Sequence, residues 1–194
     1  MQNKINFIAL AAGISSLTLI AISLFVPWWQ FTIGSPANIQ VNFSPVNFAL
    51  SQSGTSFPIP LILALNIACL LTLMAGGIIL TIYAIKPAEK YSKQLLGFGY
   101  TKPIYSVVAF VVILIVVPII AQSLAGFGFP ISGSAVVTPR GANGSANVSA
   151  VLEWPFYFAI VVAGLCIAAR VVHGRAVKPT EPSTPMPTQE LINP

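Results

Sequence analysis

The sequence predicts an all-α transmembrane protein, a four-helix bundle capped outside by a small extracellular β layer from its two outer loops. The chain is 56% apolar and only 7% charged, whereas soluble domains carry about 25% charged residues. The apolar residues form four long blocks, which is the pattern of membrane-spanning helices. Alternating apolar and polar residues in the long connections are typical of strands.

The first apolar block, 6–26, is long enough to cross a bilayer, because its roughly 21 residues span about 30 Å as a helix. A cleaved signal peptide is the alternative, since Lys4 precedes the block and Ala21-Ile22-Ser23 resembles a cleavage site. The block exceeds the roughly 7–15 apolar residues of a signal peptide. We therefore predict a helix that is retained as a signal anchor.

The other three helices are predicted at about 58–85, 104–126 and 154–172. Pro58 and Pro60 suit the first turn of a helix, where the missing N–H leaves no bond unmade. Pro118 lies within the third block and should kink it. The transmembrane domain is accordingly placed at 1–175, and the proline-rich segment 176–194 is expected to be a disordered cytoplasmic tail.

The predicted β layer comes from two loops, 27–57 and 127–153. Apolar and polar residues alternate over 39–44, and Pro45 then interrupts the run as an edge strand or a turn would. In the second loop, β-prone runs at 135–138 and 147–152 flank a segment dense in turn-forming residues. This arrangement predicts a hairpin.

Basic residues lie almost entirely on one side of the predicted membrane. That side receives Lys4, Lys86, Lys90, Lys93, Lys102, Arg170, Arg175 and Lys178. The other side receives only Arg140. By the positive-inside rule, both termini and the basic loop 86–103 are cytoplasmic, and the two long loops are extracellular. The sequence thus predicts a multi-pass protein of the cell membrane.

Two other features fit this orientation. Tryptophan favours the head-group layer, so three residues are candidate outer-interface anchors: Trp28, Trp29 and Trp154. The N-x-S/T sequons are candidate glycosylation sites, and all fall in the outer loops, at Asn42, Asn143 and Asn147.

The outer loops carry no acidic side chain apart from Glu153, so little in them titrates. We hypothesise a surface that faces acid, as in a thermoacidophilic archaeon. The alternative is an ordinary neutral loop.

The apolar blocks contain no ionisable residue at mid-membrane depth, which argues against a proton-coupled pump or transporter. Candidate helix-packing residues are Gly76, Gly77, Asn66 and Gln122, because small and polar residues mediate helix contacts in membranes. Asn66 and Gln122 are expected in the outer half of the membrane, where they would bond each other. A small-molecule or quinone site at these two residues is the alternative.

No catalytic, metal or cofactor site is predicted. The chain has no aspartate, so a Ser-His-Asp set cannot form. His173 is the single histidine and has neither cysteine nor carboxylate near it in sequence, so interfacial charge is its expected role and metal binding is not. The sequence therefore predicts that the protein is not an enzyme.

Trp28 and Trp29 open a long first outer loop with β character, followed by a shorter second one, and both termini face inward. This layout resembles the claudin/PMP22-type tetraspans, whose first-loop motif combines tryptophans with two cysteines. The first outer loop here contains no cysteine. The resemblance implies an outer β-sheet that rests on a four-helix bundle.

The predicted function is that of an accessory or structural subunit, or an interaction scaffold, of a membrane complex. Its expected partners are the lipid bilayer and other membrane subunits or further copies of the chain, and not nucleic acid. The alternative is an ion or small-molecule channel or carrier formed by oligomers, with Asn66, Gln122, Ser15 and Ser16 lining one polar pore. A membrane enzyme or quinone-linked redox subunit is a third hypothesis.

Overall fold

A computed structural model of the chain describes residues 5–34, 38–85, 91–125, 128, 130–138 and 144–176. These residues form four helices and six strands. In chain order the elements are α1 (Phe7–Ser23), β1 (Trp29–Ile33), β2 (Ile39–Ser44), β3 (Asn47–Gln52), β4 (Thr55–Phe57), α2 (Pro60–Ile85), α3 (Ser92–Ala125), β5 (Gly133–Val137), β6 (Ala146–Leu152) and α4 (Trp154–Ala176). The predicted disordered tail lies outside the described residues, apart from Ala176, which ends α4.

The helices form a closed ring in which α1 packs against α2 and α4, and α3 packs against the same two helices. Three of them, α2, α3 and α4, are long and apolar enough to cross a membrane. The fourth, α1, is apolar but has only 17 residues. It spans about 25 Å, at the short end of the membrane-crossing range.

Helix α1 is tied to the bundle at both ends. At its start, the Asn6 side chain accepts a hydrogen bond from the Ala9 N–H at 3.1 Å and caps the helix. The Asn6 backbone N–H donates to the Ala84 carbonyl at 3.0 Å, at the end of α2. The helix ends at Ser23, earlier than predicted, because the chain turns there to bring Trp28 under the sheet.

Helix α3 begins at Ser92, although the sequence predicted a loop up to Pro103. Pro103 removes the N–H donor that would serve the Gly99 carbonyl, and the Thr101 hydroxyl donates to a different carbonyl, that of Phe98, at 2.9 Å. Tertiary packing supplies the remaining stabilisation. Leu96 is fully buried, and Gly99 lies close against the backbone of α2. Burial of this segment outweighs the local preference of glycine and proline for a loop.

The strands form one antiparallel sheet in the order β4-β3-β2-β1-β6-β5. The predicted strand 39–44 and the predicted hairpin of the second loop are both confirmed, as β2 and as β5 paired with β6. Pro45 lies in the turn between β2 and β3. Three strands were not predicted, so the β layer is larger than expected and the protein is a mixed helix-and-sheet structure.

Strand β1 joins the two loops into one sheet, since it pairs with β2 on one side and β6 on the other. Its residue Phe31 lies opposite Val41 of β2 and Ala150 of β6. Side chains alternate across a strand, so these three residues share one face of the sheet. That face packs on the helices, and Phe43 of β2 stacks on Phe110 of α3 with ring centroids 5.1 Å apart.

Candidate functional site

A cleft of about 540 Å³ lies between α2 and α3, directly beneath the inner face of the sheet. Its walls are almost wholly apolar. Aromatic side chains of the sheet and of α3 line one end, and these are Trp29, Phe43, Phe48 and Phe110. Leu65 and Ile113 stand on its walls and are 61% and 41% exposed. In a membrane, the cleft would therefore open sideways toward lipid.

Polar groups are few in this cleft. Asn66 lines it and is only 8% exposed, and its amide forms no hydrogen bond with any other described residue. The Ser106 hydroxyl also lines the cleft but is already engaged, since it donates to the Pro103 carbonyl at 2.8 Å. Cys69 is a half-buried free thiol beside them. The side-chain amide of Asn66 is thus the polar group available to a bound molecule.

The structure does not join Asn66 to Gln122. Gln122 is exposed near the end of α3, and no hydrogen bond links the two side chains. Ser16, the other predicted pore residue that is buried, faces α2 near Gly77 and donates to the Ala12 carbonyl at 2.8 Å. Asn66, Gln122 and Ser16 consequently do not share one cavity: Asn66 lines the cleft, Gln122 is exposed, and Ser16 lies between α1 and α2.

Gly76 and Gly77 are both buried where α2 meets its neighbours. A Cβ on Gly76 would lie 2.9 Å from the Cβ of Lys102 on α3, and one on Gly77 would lie 2.8 Å from Leu17 on α1. Sequence reasoning missed Gly13. A Cβ at that position would lie 2.9 Å from the backbone nitrogen of Thr81, so α1 lies close against the backbone of α2 at Gly13.

The outer face of the sheet is uncharged. Within the six strands no side chain is ionisable, and the residues that alternate away from the helices are chiefly Gln30, Thr32, Gln40, Asn42, Ser51, Asn147 and Ser149. Some of these bond to one another. The Thr32 and Ser149 hydroxyls are 2.6 Å apart across β1 and β6, and the Gln40 amide donates to Asn42 at 3.1 Å.

Two of the three candidate glycosylation sites lie on this outer face. Both lie in interior strands, and Asn42 in β2 is half-buried whereas Asn147 in β6 is exposed. Asn143 lies outside the described residues.

The tryptophans predicted as outer-interface anchors separate into two groups. Trp28 is 1% exposed and Trp29 is 6% exposed, so both belong to the core between helices and sheet. The Trp29 indole N–H donates to the Ile131 carbonyl at 2.8 Å. Only Trp154, which is 53% exposed, has the exposure expected of a residue in the head-group layer. Tryptophan is common both in a buried core and in the head-group layer, so the sequence alone does not show which of these two environments each tryptophan occupies.

His173 differs from its expected role as an interfacial charge. It is 3% exposed within α4, and its Nδ1 is 2.5 Å from the Tyr83 hydroxyl of α2. The Asn6 amide donates to the same hydroxyl at 3.4 Å. This cluster of Asn6, Tyr83 and His173 connects three helices at the end of the bundle far from the sheet.

The Tyr83→Phe variant should lower the free energy of unfolding by about 1–2 kcal/mol, because the buried imidazole of His173 loses its bond to the hydroxyl. Unfolding in mixed micelles, followed by circular dichroism, measures this loss. Tyr105→Phe is the matched control, since Tyr105 is 66% exposed and should change stability by less than about 0.5 kcal/mol. Equal effects of the two substitutions would contradict a structural role for the cluster.

No protein-family model matches the chain, and no curated protein matches it either.

Proposed function

We propose that the protein is an integral membrane tetraspan with both termini in the cytoplasm and its sheet at the extracellular surface. The three membrane-length helices support membrane insertion. Lys102 and Arg170 support the orientation, because both lie toward the end of the bundle far from the sheet, each beside an aromatic ring, Phe98 and Tyr100 respectively. Packing of α1 against α2 and α4 supports retention of the first helix as a signal anchor.

The function we propose is that of a non-enzymatic accessory subunit or interaction scaffold. The observation that carries this proposal is the broad, uncharged outer face of the sheet. Uncharged hydroxyl and amide groups can make hydrogen bonds to a partner, and they avoid the large desolvation cost of buried charge. Because β1 pairs with strands of both loops, this face is held in one fixed arrangement on the bundle.

The positions of the polar helix residues support a scaffold over a channel. The alternative, a channel or carrier formed by oligomers, needs Asn66, Gln122, Ser15 and Ser16 to face one polar pore, but of these residues only Asn66 lines the cleft. The absence of ionisable groups from the described strands also fits a surface that faces acid.

Native mass spectrometry of the protein, extracted gently from its own membrane, tests the scaffold proposal. We expect a defined heteromeric mass. A homo-oligomer without a companion would overturn the proposal and favour the channel, which conductance measurements would then examine. The same spectrum reports glycans on the intact chain. A glycan at Asn42 would cover the middle of the outer face and move the contact surface elsewhere.

The Val136→Arg variant should weaken the heteromer by about tenfold or more, because an unpaired charge would be buried at the interface. Val136 is 68% exposed on the outer face of β5, so the arginine does not disturb folding. Tyr91→Arg adds the same charge at the opposite end of the bundle and should leave the heteromeric mass intact. Loss of the complex in both variants would point to a general effect of charge and not to a contact through the sheet.

A further inference from the structure

We propose that the cleft between α2 and α3 binds a quinone-type lipid from the surrounding bilayer: a neutral molecule with a flat, carbonyl-bearing ring and a hydrocarbon tail. The Asn66 amide would donate a hydrogen bond to a ring carbonyl, and the tail would lie along the apolar walls. This proposal depends on the membrane placement proposed above but not on the scaffold role.

Asn66 is the first reason. It is more than nine-tenths buried, it lines the cleft, and its amide has no partner among the described residues. The amide is still reachable from the cleft, and a polar group in apolar surroundings gains free energy when it finds a hydrogen-bond partner. An asparagine amide can donate two hydrogen bonds. A carbonyl oxygen of a ligand within the cleft would accept one of these hydrogen bonds.

The lining residues carry no charge, which is the second reason. A phospholipid would bring a phosphate, and the described residues that line the cleft include no cation to neutralise it. The nearest lysine in α3 is Lys102, and its ammonium lies 4.5 Å from the Phe98 ring, toward the far end of the bundle. The ligand head is consequently neutral.

The shape of the cleft is the third reason. Its volume falls within the roughly 300–1,000 Å³ of small-molecule sites. Phe43 and Phe110 stack nearly parallel, at 19°, on the sheet side of the cleft, and Trp29 and Phe48 line the same end. Because Phe43 and Phe110 are in contact with each other, the ligand ring would pack against the outside of this aromatic cluster, a contact that favours a flat ring. The exposed side chains of Leu65 and Ile113 leave a sideways path for a molecule that is dissolved in the bilayer.

Decylubiquinone is the probe, and quenching of tryptophan fluorescence is the measurement. A Trp154→Phe background removes the exposed indole and leaves Trp28 and Trp29 as reporters, of which Trp29 lines the cleft. We expect saturable quenching of the purified protein in detergent micelles. Excess phosphatidylcholine should not compete, because its charged head does not suit the cleft. Quenching that rises without saturation, or that phosphatidylcholine abolishes, would overturn the proposal.

Asn66→Leu should weaken decylubiquinone binding by about 5- to 10-fold, the effect of losing one hydrogen bond. Its melting temperature should be unchanged or higher, because an unpaired buried amide has been removed. Thr72→Val is the matched control, since Thr72 is exposed on α2 and does not line the cleft. Unchanged affinity in Asn66→Leu would overturn the proposal, and so would a lower melting temperature with unchanged affinity, which would make Asn66 structural.

Ala109→Phe addresses the location directly, because Ala109 lines the cleft and a phenyl group would fill part of it. We expect this variant to lose saturable quenching and to keep the circular dichroism of the folded protein. Full binding by Ala109→Phe would place the ligand elsewhere and overturn the proposal. These measurements use the purified protein alone, so they are independent of any heteromeric partner.

Discussion

Replacing Trp28 by alanine is expected to lower the free energy of unfolding by about 3–5 kcal/mol, the usual cost of emptying a large buried aromatic site. The Trp28 side chain is 1% exposed and lies between the helices and the sheet. The rings of Trp28 and Phe110 pack in a T-shaped arrangement with centroids 5.0 Å apart. Its indole N–H donates to the Ser23 hydroxyl at 2.7 Å, which ties the end of α1 to the sheet.

The backbone of Trp28 strengthens this junction. Its N–H donates to the Phe43 carbonyl at 3.0 Å, and its carbonyl accepts from the Glu153 N–H at 2.9 Å. These bonds survive the substitution, so the expected loss is that of the side chain. Unfolding in mixed micelles of increasing dodecyl sulfate content, followed by circular dichroism, measures it.

Trp154→Ala is the matched control for Trp28→Ala. Trp154 is 53% exposed, so its removal leaves no closed cavity and should cost less than about 1 kcal/mol. The Trp28→Phe variant separates packing from hydrogen bonding, because it keeps a ring and loses the bond to Ser23. If Trp28→Ala and Trp154→Ala were equally destabilising, the contacts of the Trp28 side chain would not be what holds the sheet on the bundle.

Alanine at Gly13 is expected to destabilise the bundle by about 1–3 kcal/mol, the range for overpacking a tight contact. The added Cβ would lie 2.9 Å from the Thr81 nitrogen and 3.2 Å from the Gly77 carbonyl oxygen. Both atoms belong to the backbone of α2, which cannot move as a side chain can. Helices α1 and α2 must therefore separate to accept the methyl group.

Gly164→Ala should raise the free energy of unfolding, whereas alanine at Gly13 should lower it. Gly164 is exposed within α4, and no atom lies within 4 Å of the position of an added Cβ. Replacing a helical glycine in open space should stabilise the protein by about 0.5–1 kcal/mol, because alanine is the better helix former. The same unfolding assay compares the two variants. A stabilising effect at Gly13 would show that α1 and α2 are not in close contact there.

Local patterns explain what the sequence predicted well. A long apolar block is a property of neighbouring residues, so the helices were found without knowledge of the fold. The strict alternation over 39–44 likewise revealed β2. Strand β3 has a weaker alternation, with Ala49 on its outer face, and β4 has only three residues. Such short or irregular runs form strands because a neighbouring strand pairs with them.

The roles of the candidate residues were less predictable, because they depend on residues far away in the chain. The Tyr83 hydroxyl and His173 are 90 positions apart and meet only in the folded bundle. Gly13 and Thr81 are likewise distant in the sequence and come together only when α1 packs on α2. Asn66 was a candidate from its polarity alone, but its burial in an apolar cleft required the positions of both α3 and the sheet.

The sequence by itself determined the apolar helices, the gathering of basic residues in the segments before, between and after them, and the scarcity of charge in the loops 27–57 and 127–153, since all three are properties of composition along the chain. Only the tertiary structure decided that β1 joins the loops into one sheet, that Trp28 and Trp29 are buried beneath it, and that α3 begins at Ser92. Pairing and burial between distant segments outweigh local preferences, because the free energy they contribute arises only when those segments meet.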